Sequence, residues 1–214
     1  MNATITSTAH YVPEKVLTNS DLEKLVDTSD EWIKSRVGIN QRHVVSDGEA
    51  SSDMSTKVAH TLLEKRGISA ANIDVIIIGT VTPDHPTPST AAIVQNNINA
   101  ENAWAFDLSA ACSGFLYALE TGAKFIESGQ YKTIMVIGVD TMTSILDFED
   151  RETCIIFGDG AGGVILEASK SNTGILGSVL KTDGSGAESL NVLAGGSKYP
   201  ASLTTIKNRQ HYIK

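Results

Sequence analysis

Cys112 has the surroundings that would make a thiol chemically active. It follows a short apolar run at 104–108 and the small residues Ser109, Ala110 and Ala111. After it, Phe115, Leu116, Leu119, Ala123 and Ile126 recur at helical spacing, and Gly129 marks the stop. A cysteine so placed sits where a strand becomes a helix. The unpaired N–H groups and the positive end of the helix dipole there favour a thiolate. Ala110, Ala111, Ser113 and Gly114 add little bulk, so a carbonyl can approach the sulfur. The chemistry is nucleophilic attack from a strand-to-helix elbow. A free cysteine is also often just a small buried hydrophobe, and spacing alone leaves both readings open.

A second constellation pairs an aromatic ring with a cation. Trp32 and Arg36 stand four apart and share one face of an expected helix. An indole beside a guanidinium can stack on a flat ring and hold a phosphate. The same spacing fits an ordinary surface helix with a half-buried tryptophan. Residues 158–163 have the spacing G-x-G-x-x-G, yet Val164, Ile165 and Leu166 after them continue as strand, whereas a dinucleotide fingerprint needs a helix there. These glycines read as close backbone packing at a bend. Cys154, at the start of the strand before them, reads as a buried structural thiol, and His85 as a solvated loop residue.

The elements that would position these groups alternate. Residues 3–8 read as a strand. Ser20 with Glu23 and Thr28 with Glu31 each form a capping box, implying two short helices. A strand is expected at 37–45, a helix at 52–66 ending at Gly67, and a strand buried on both faces at 74–80. Pro83, Pro86 and Pro88 make 82–88 a rigid loop. A helix at 90–98, the Cys112 element and a buried strand at 133–139 follow. The acidic run 147–152 reads mostly as solvated loop, 169–172 as a surface turn and 175–180 as one more strand. From 182 the apolar periodicity is lost and the chain is expected to be mobile. Strands alternating with helices at this pitch mean an α/β fold.

Composition narrows the function. The 214 residues are 41% hydrophobic and carry a net charge of −8, with a pI near 5.1. Neither nucleic acid nor an anionic membrane is expected as a partner, since each would need a basic face. The two cysteines have no disulfide-framework spacing, and the N-terminus lacks the charged and apolar regions of a signal peptide. The longest apolar run, 75–78, is far too short to cross a bilayer, so a reducing cytoplasm is the expected compartment.

Three segments in order, DTSDEWIKSRVGI (27–39), DLSAACSGF (107–115) and IIFGDGAGG (155–163), closely resemble the 3-ketoacyl-acyl-carrier-protein synthase III family of thiolase-fold condensing enzymes. The similarity runs from the N-terminus to about Leu190. It implies a layered α-β-α-β-α fold of two similar halves. Residues 1–170 would be the first half, and 171–214 the truncated start of the second. It implies that Cys112 takes an acyl group from acyl-CoA and that condensation with malonyl-acyl-carrier protein follows, giving a 3-ketoacyl product in fatty-acid initiation. Thr28, Trp32, Arg36 and Arg151 match residues that hold the CoA adenine and phosphates, with Arg151 as the second side of the adenine clamp. The loop carrying Thr87 matches one that reaches across a dimer interface and helps wall the acyl pocket. A small residue at Thr87, where some members carry an aromatic, implies room for a primer larger than acetyl. The implied partners are acyl-CoA, acyl carrier protein and a second copy of the chain, with no cofactor and no metal.

The family's decarboxylation step uses a His and an Asn in its C-terminal half. His10, His43, His60, His85 and His211 match neither position, so no catalytic histidine is assigned. One half alone would expose apolar surface normally covered, so the chain is expected to be a piece of a longer protein. Its rivals are a non-catalytic remnant that keeps CoA affinity and dimer surface, and a secondary-metabolite condensing enzyme of the same fold.

Overall fold

A computed structural model describes residues 2–169, 171 and 173–214. The turn expected at 169–172 falls partly on Lys170 and Asn172, which lie outside the described residues. In chain order the elements are β1 (Ala3–Tyr11), β2 (Lys15–Thr18), α1 (Asn19–Leu22), α2 (Asp30–Val37), β3 (Gln41–Val44), α3 (Ser51–Arg66) and β4 (Val75–Gly79). There follow α4 (Thr90–Asn97), β5 (Trp104–Leu108), α5 (Gly114–Glu127), β6 (Thr133–Thr141), β7 (Asp159–Ala168) and α6 (Leu203–Lys207). They divide between two compact units.

The first unit contains the segment ending at Pro13, Val45–Asp140 and Gly160–Leu180. Its sheet has the order β1-β7-β6-β4-β5, with β4 parallel to both β5 and β6, and β1 antiparallel to β7. All five positions of β4 are buried, as its unbroken run of β-branched residues requires of a central strand. Alternate side chains serve opposite faces. Ile76, Ile78, Met135 and Ile137 pack with Met54, Val58 and Leu62 of α3 and Val94 of α4. Val75, Ile77, Ile134 and Val136 pack with Ala118, Ala123 and Ile126 of α5. Each buried side chain of this size contributes about 1.5–3 kcal/mol relative to exposure. The glycines at 158–163 do not open a helix: Gly158 precedes β7, which runs through Gly160, Gly162 and Gly163, and a Cβ on Gly163 would lie 2.9 Å from Val136 O.

The strand expected at 175–180 is absent. Leu176 and Val179 are 76% and 85% exposed, and Ile175 N–H donates to Ala3 O at 2.8 Å without a ladder following. Alternation of apolar residues there has no neighbouring strand to pack on, and Gly177 interrupts it.

The second unit contains Glu14–Val44, Thr141–Asp159 and Lys181–Lys214. β2 and β3 form an antiparallel pair; β2 was not foreseen, and the strand expected at 37–45 shortens to β3 because Val37 still belongs to α2. Gly38 ends α2 in the left-handed region at φ 73°, which favours glycine. The capping boxes shift register. Thr18 and Asp21 form the box at α1, and Ser29, not Thr28, caps α2 by accepting from Trp32 N–H at 3.1 Å. Glu23, expected to close the box of the first helix, instead accepts from Asp30 N–H at 2.7 Å. In a stretch this rich in Ser, Thr, Asp and Glu, several neighbouring residues can serve as a cap and local pattern does not rank them. Cys154 is fully buried as expected, but within a succession of turns at 151–156 and not on a strand. Burial pushes its thiol pKa up.

The C-terminal stretch, expected to be mobile, is tied down. Val192 bridges Ile213, Ile213 N–H donates to Ile145 O at 2.8 Å, and Arg209 pairs with Asp147 and Glu149. Asp147 is therefore no solvated loop residue; it is 6% exposed. Hydrogen bonding from Arg209 holds its carboxyl below the ordinary carboxylate range. A depressed folded pKa contributes stability above the unfolded value, which is lost as pH falls through the folded one. Asp147→Asn is expected to destabilise the protein by about 1–2 kcal/mol at neutral pH, Arg209 being partly in solvent. The gap between variant and wild type in urea midpoints should shrink as pH falls below about 4. A gap independent of pH would show that the ion pair does not supply it.

Candidate functional site

Cys112 lies in a turn of 3-10 helix, Ala111–Ser113, between β5 and α5. The residue before it, Ala111, has φ 47°, a left-handed conformation that costs a non-glycine residue about 1–2 kcal/mol. A left-handed residue in a tight strand-to-helix turn is the backbone geometry expected of an elbow. Cys112 is exposed, so the small buried hydrophobe is excluded for it. Its position follows from close packing beneath. A Cβ on Gly79, the last residue of β4, would sit 2.8 Å from Gly114 C and 3.0 Å from Gly114 O. A Cβ on Gly138, paired with Gly79 across β4 and β6, would meet Phe115 Cβ at 3.1 Å. Two glycines side by side on adjacent strands thus let the first turn of α5 settle onto the sheet.

Beside this element is a cavity of about 510 Å³ whose lining includes Thr80, Pro83, His85, Ser89, Phe106 and Ser109. Ser109 places one wall three residues before Cys112. The proline loop that walls the other side is held by three carboxylates. Asp140 accepts from Val81 N–H at 2.8 Å and from the Thr80 and Thr82 hydroxyls at 3.1 and 2.8 Å. Asp107 accepts from Thr90 and Ala91 N–H at 2.7 and 2.8 Å, satisfying the free N–H groups at the start of α4. Asp84 accepts from Ser52 N–H and hydroxyl at 2.9 and 2.6 Å. His85 is an exposed loop residue, as expected, and lines this cavity. Thr87 is exposed and is not among the lining residues, although Pro86 is.

In the second unit, Trp32, Arg36 and Arg151 come together. The Arg151 guanidinium lies 4.7 Å from the Trp32 ring centroid and that of Arg36 lies 5.9 Å from it. Arg151 also reaches Asp27 at 3.7 Å. Thr28 is half-buried, and its hydroxyl oxygen has no hydrogen-bond partner among the described residues. An indole with two guanidinium groups beside it is the kind of pair that can hold a flat heterocycle and an anion.

Of the residues expected from sequence, Cys112 and Thr87 lie in the first unit, and Thr28, Trp32, Arg36 and Arg151 in the second. The anchoring aspartates were missed. Their signal was present: Asp107 and Asp140 are each the penultimate residue of a largely apolar strand, where a carboxylate needs donors. Among the described residues no group of three or more His, Cys, Asp or Glu could hold a metal ion, and no helix is long and apolar enough to cross a membrane.

Residues 106–184 match the family model for 3-oxoacyl-[acyl-carrier-protein] synthase III. The whole chain is 57% identical to a beta-ketoacyl-[acyl-carrier-protein] synthase III of Chlorobaculum tepidum and spans 66% of that protein's length. Among solved structures, the chain is similar to the beta-ketoacyl synthase III of Thermus thermophilus, with TM-score 0.84 and 39% identity over 88% of this chain and 58% of that one. The Aquifex aeolicus 3-oxoacyl synthase III gives TM-score 0.77 and 46% identity over 79% of this chain and 55% of that one. The fold is thus α/β and thiolase-like.

Proposed function

The chain belongs to the 3-oxoacyl-[acyl-carrier-protein] synthase III family, and from that membership we propose that it carries the acyl-accepting cysteine of a condensing enzyme that initiates fatty-acid synthesis. Residues 1–170 are the first of two similar halves and 171–214 begin the second. The observation that carries this reading is the exposed Cys112 in a strained turn at the head of α5.

The deprotonated Cys112 sulfur attacks the thioester carbonyl of acyl-CoA. A new S–C bond forms, the carbonyl π pair moves onto oxygen, and on its return the bond to the CoA sulfur breaks. CoA leaves as a thiolate and the cysteine proton goes to solvent. Backbone N–H groups at the helix start are the donors available to the developing charge. Malonyl-acyl-carrier protein then loses CO2, and its carbanion attacks the acyl carbon. That releases the Cys112 sulfur and gives 3-ketoacyl-acyl-carrier protein. No residue of this chain is assigned to the decarboxylation. Thr28, Trp32, Arg36 and Arg151 hold CoA: Trp32 and Arg151 take the adenine, and the cations and the Thr28 hydroxyl take the phosphates. The setting is cytoplasmic and homodimeric, without cofactor or metal. Incubation with radiolabelled acyl-CoA tests the reading, since label should be retained on Cys112 and on no other residue.

Thr87, outside the lining of the cavity beside Cys112, is assigned to primer size on the family resemblance alone, which places its loop at a contact between subunits. Thr87→Phe is expected to lower labelling by long-chain acyl-CoA by about tenfold while sparing acetyl-CoA, a hydrophobic pocket being worth about 1–3 kcal/mol per methylene in discrimination. A series of acyl-CoA primers measures this, and an unchanged chain-length profile would remove Thr87 from the acyl pocket.

A further inference from the structure

We propose that Arg42 is a positioning residue for the Trp32–Arg151 pair, tying the turn segment that carries Arg151 to the strand and helices that carry Trp32. The proposal rests on CoA being the ligand of that pair.

Arg42 is 5% exposed, and its guanidinium donates to Leu17 O, Asn19 Oδ1 and Ile155 O, with no carboxylate among these partners. A buried guanidinium without a counter-charge carries a large desolvation cost, so its retention calls for a structural return. Burial pushes its pKa below the ordinary value. Its contacts say what the return is. Nη1 donates to Leu17 O at 3.1 Å, at the end of β2. Nη2 donates to Asn19 Oδ1 at 3.0 Å and to Ile155 O at 3.0 Å. Ile155 is four residues from Arg151 and on the same run of turns. Asn19 extends the connection, since its Nδ2 donates to Asp30 Oδ1 at 2.9 Å and to Ile39 O at 2.8 Å, at the two ends of α2. One guanidinium and one amide thus span from the Arg151 segment to the helix of Trp32. The site is made to fit the arginine: a Cβ on Gly158 would lie 2.8 Å from Arg42 Cβ. Beneath it Leu22, Ile33, Cys154 and Ile155 form a closed apolar cluster against which Trp32 packs. A fixed fork of five donors can bridge three acceptors at once, whereas a lysine ammonium is a single point.

Calorimetric titration with coenzyme A on the full chain tests this. Wild type should bind, and Trp32→Ala should lose binding. Arg42→Lys keeps the charge and most of the volume but can reach only one of the acceptors, so its Kd should rise by about tenfold. Arg42→Met should rise further. The rate of Cys112 acylation at saturating acyl-CoA should stay at the wild-type level in Arg42→Lys, separating substrate holding from chemistry. Asn19→Ser, which shortens the link to α2, should weaken CoA binding in the same direction and decides the matter should the Arg42 variants fail to fold. A lower Tm with unchanged CoA affinity in Arg42→Lys and Asn19→Ser would make the network structural and overturn the proposal alone. Absence of CoA binding by wild type, or binding indifferent to Trp32→Ala, would instead overturn the ligand reading and the proposal with it.

Discussion

Cys112→Ala is expected to lower acyl transfer from acyl-CoA by about 10⁴-fold or more, because in the proposed reaction the sulfur is the atom that forms the covalent bond and a methyl group cannot replace it. The other cysteine, Cys154, is fully buried, and burial raises its pKa, which makes it both unreachable and a poor thiolate. The substitution itself should be mild for the fold. Cys112 is exposed, and alanine already occupies the two positions before it. Stability should therefore be near that of wild type while labelling disappears. Cys112→Ser should also fail to accumulate label, since a hydroxyl is far less nucleophilic than a thiol and needs a general base beside it. Intact mass after incubation with acyl-CoA reads the result, and peptide mapping locates the modified residue. Label persisting in Cys112→Ala, or mapping to Cys154, would end the proposed chemistry. CoA binding without labelling of wild type would leave the non-catalytic alternative.

The parts of this fold legible in the sequence are those whose residues satisfy one local rule and one packing rule together. β4 is a run of Val and Ile and is buried on both faces; α3 has its periodic apolar stripe and a glycine stop. α5 was legible as a helix and its stripe in part: Ala123 and Ile126 are buried and Phe115 and Leu119 pack against the core as expected. Leu116, expected on the apolar face, is 55% exposed, while Gly114, Ala118 and Gly122 are buried. Hydrophobicity marks large side chains, whereas a helix lying this close to its sheet selects small ones. Caps at α1 and α2 were shifted because four neighbouring residues could each have served, and local pattern does not rank them. At the candidate site, Trp32 and Arg36 are legible from a spacing of four. Arg151 is not, because its place over the indole arises from tertiary contact and only the family resemblance pointed to it. The carboxylates of Asp107 and Asp140 work through backbone N–H groups on other segments, which no sequence spacing records.

Gly79→Ala is expected to combine a stability loss with a loss of acylation, and the two come from one contact. The added Cβ would stand 2.8 Å from Gly114 C, 3.0 Å from Gly114 O and 3.1 Å from Phe115 N, all backbone atoms of the first turn of α5. A flexible side chain could swing aside; a helix backbone has to move as a body. Overpacking of this kind costs about 1–3 kcal/mol, which for a chain of this size lowers Tm by roughly 2–4 °C per kcal/mol. Moving the first turn of α5 also moves Cys112, two residues upstream of Gly114, and a displacement of about 1 Å at a reacting atom can lower a rate by about 10²-fold. Gly114→Ala is the control that isolates the cause. Its Cβ would meet Gly79 Cα at 3.6 Å, an ordinary contact, and the backbone there is already right-handed helical. That variant should keep both Tm and Cys112 labelling close to wild type. Thermal melts and labelling rates on the pair decide it: equal behaviour of Gly79→Ala and Gly114→Ala would mean that the close approach of α5 to β4 does not hold the cysteine in place.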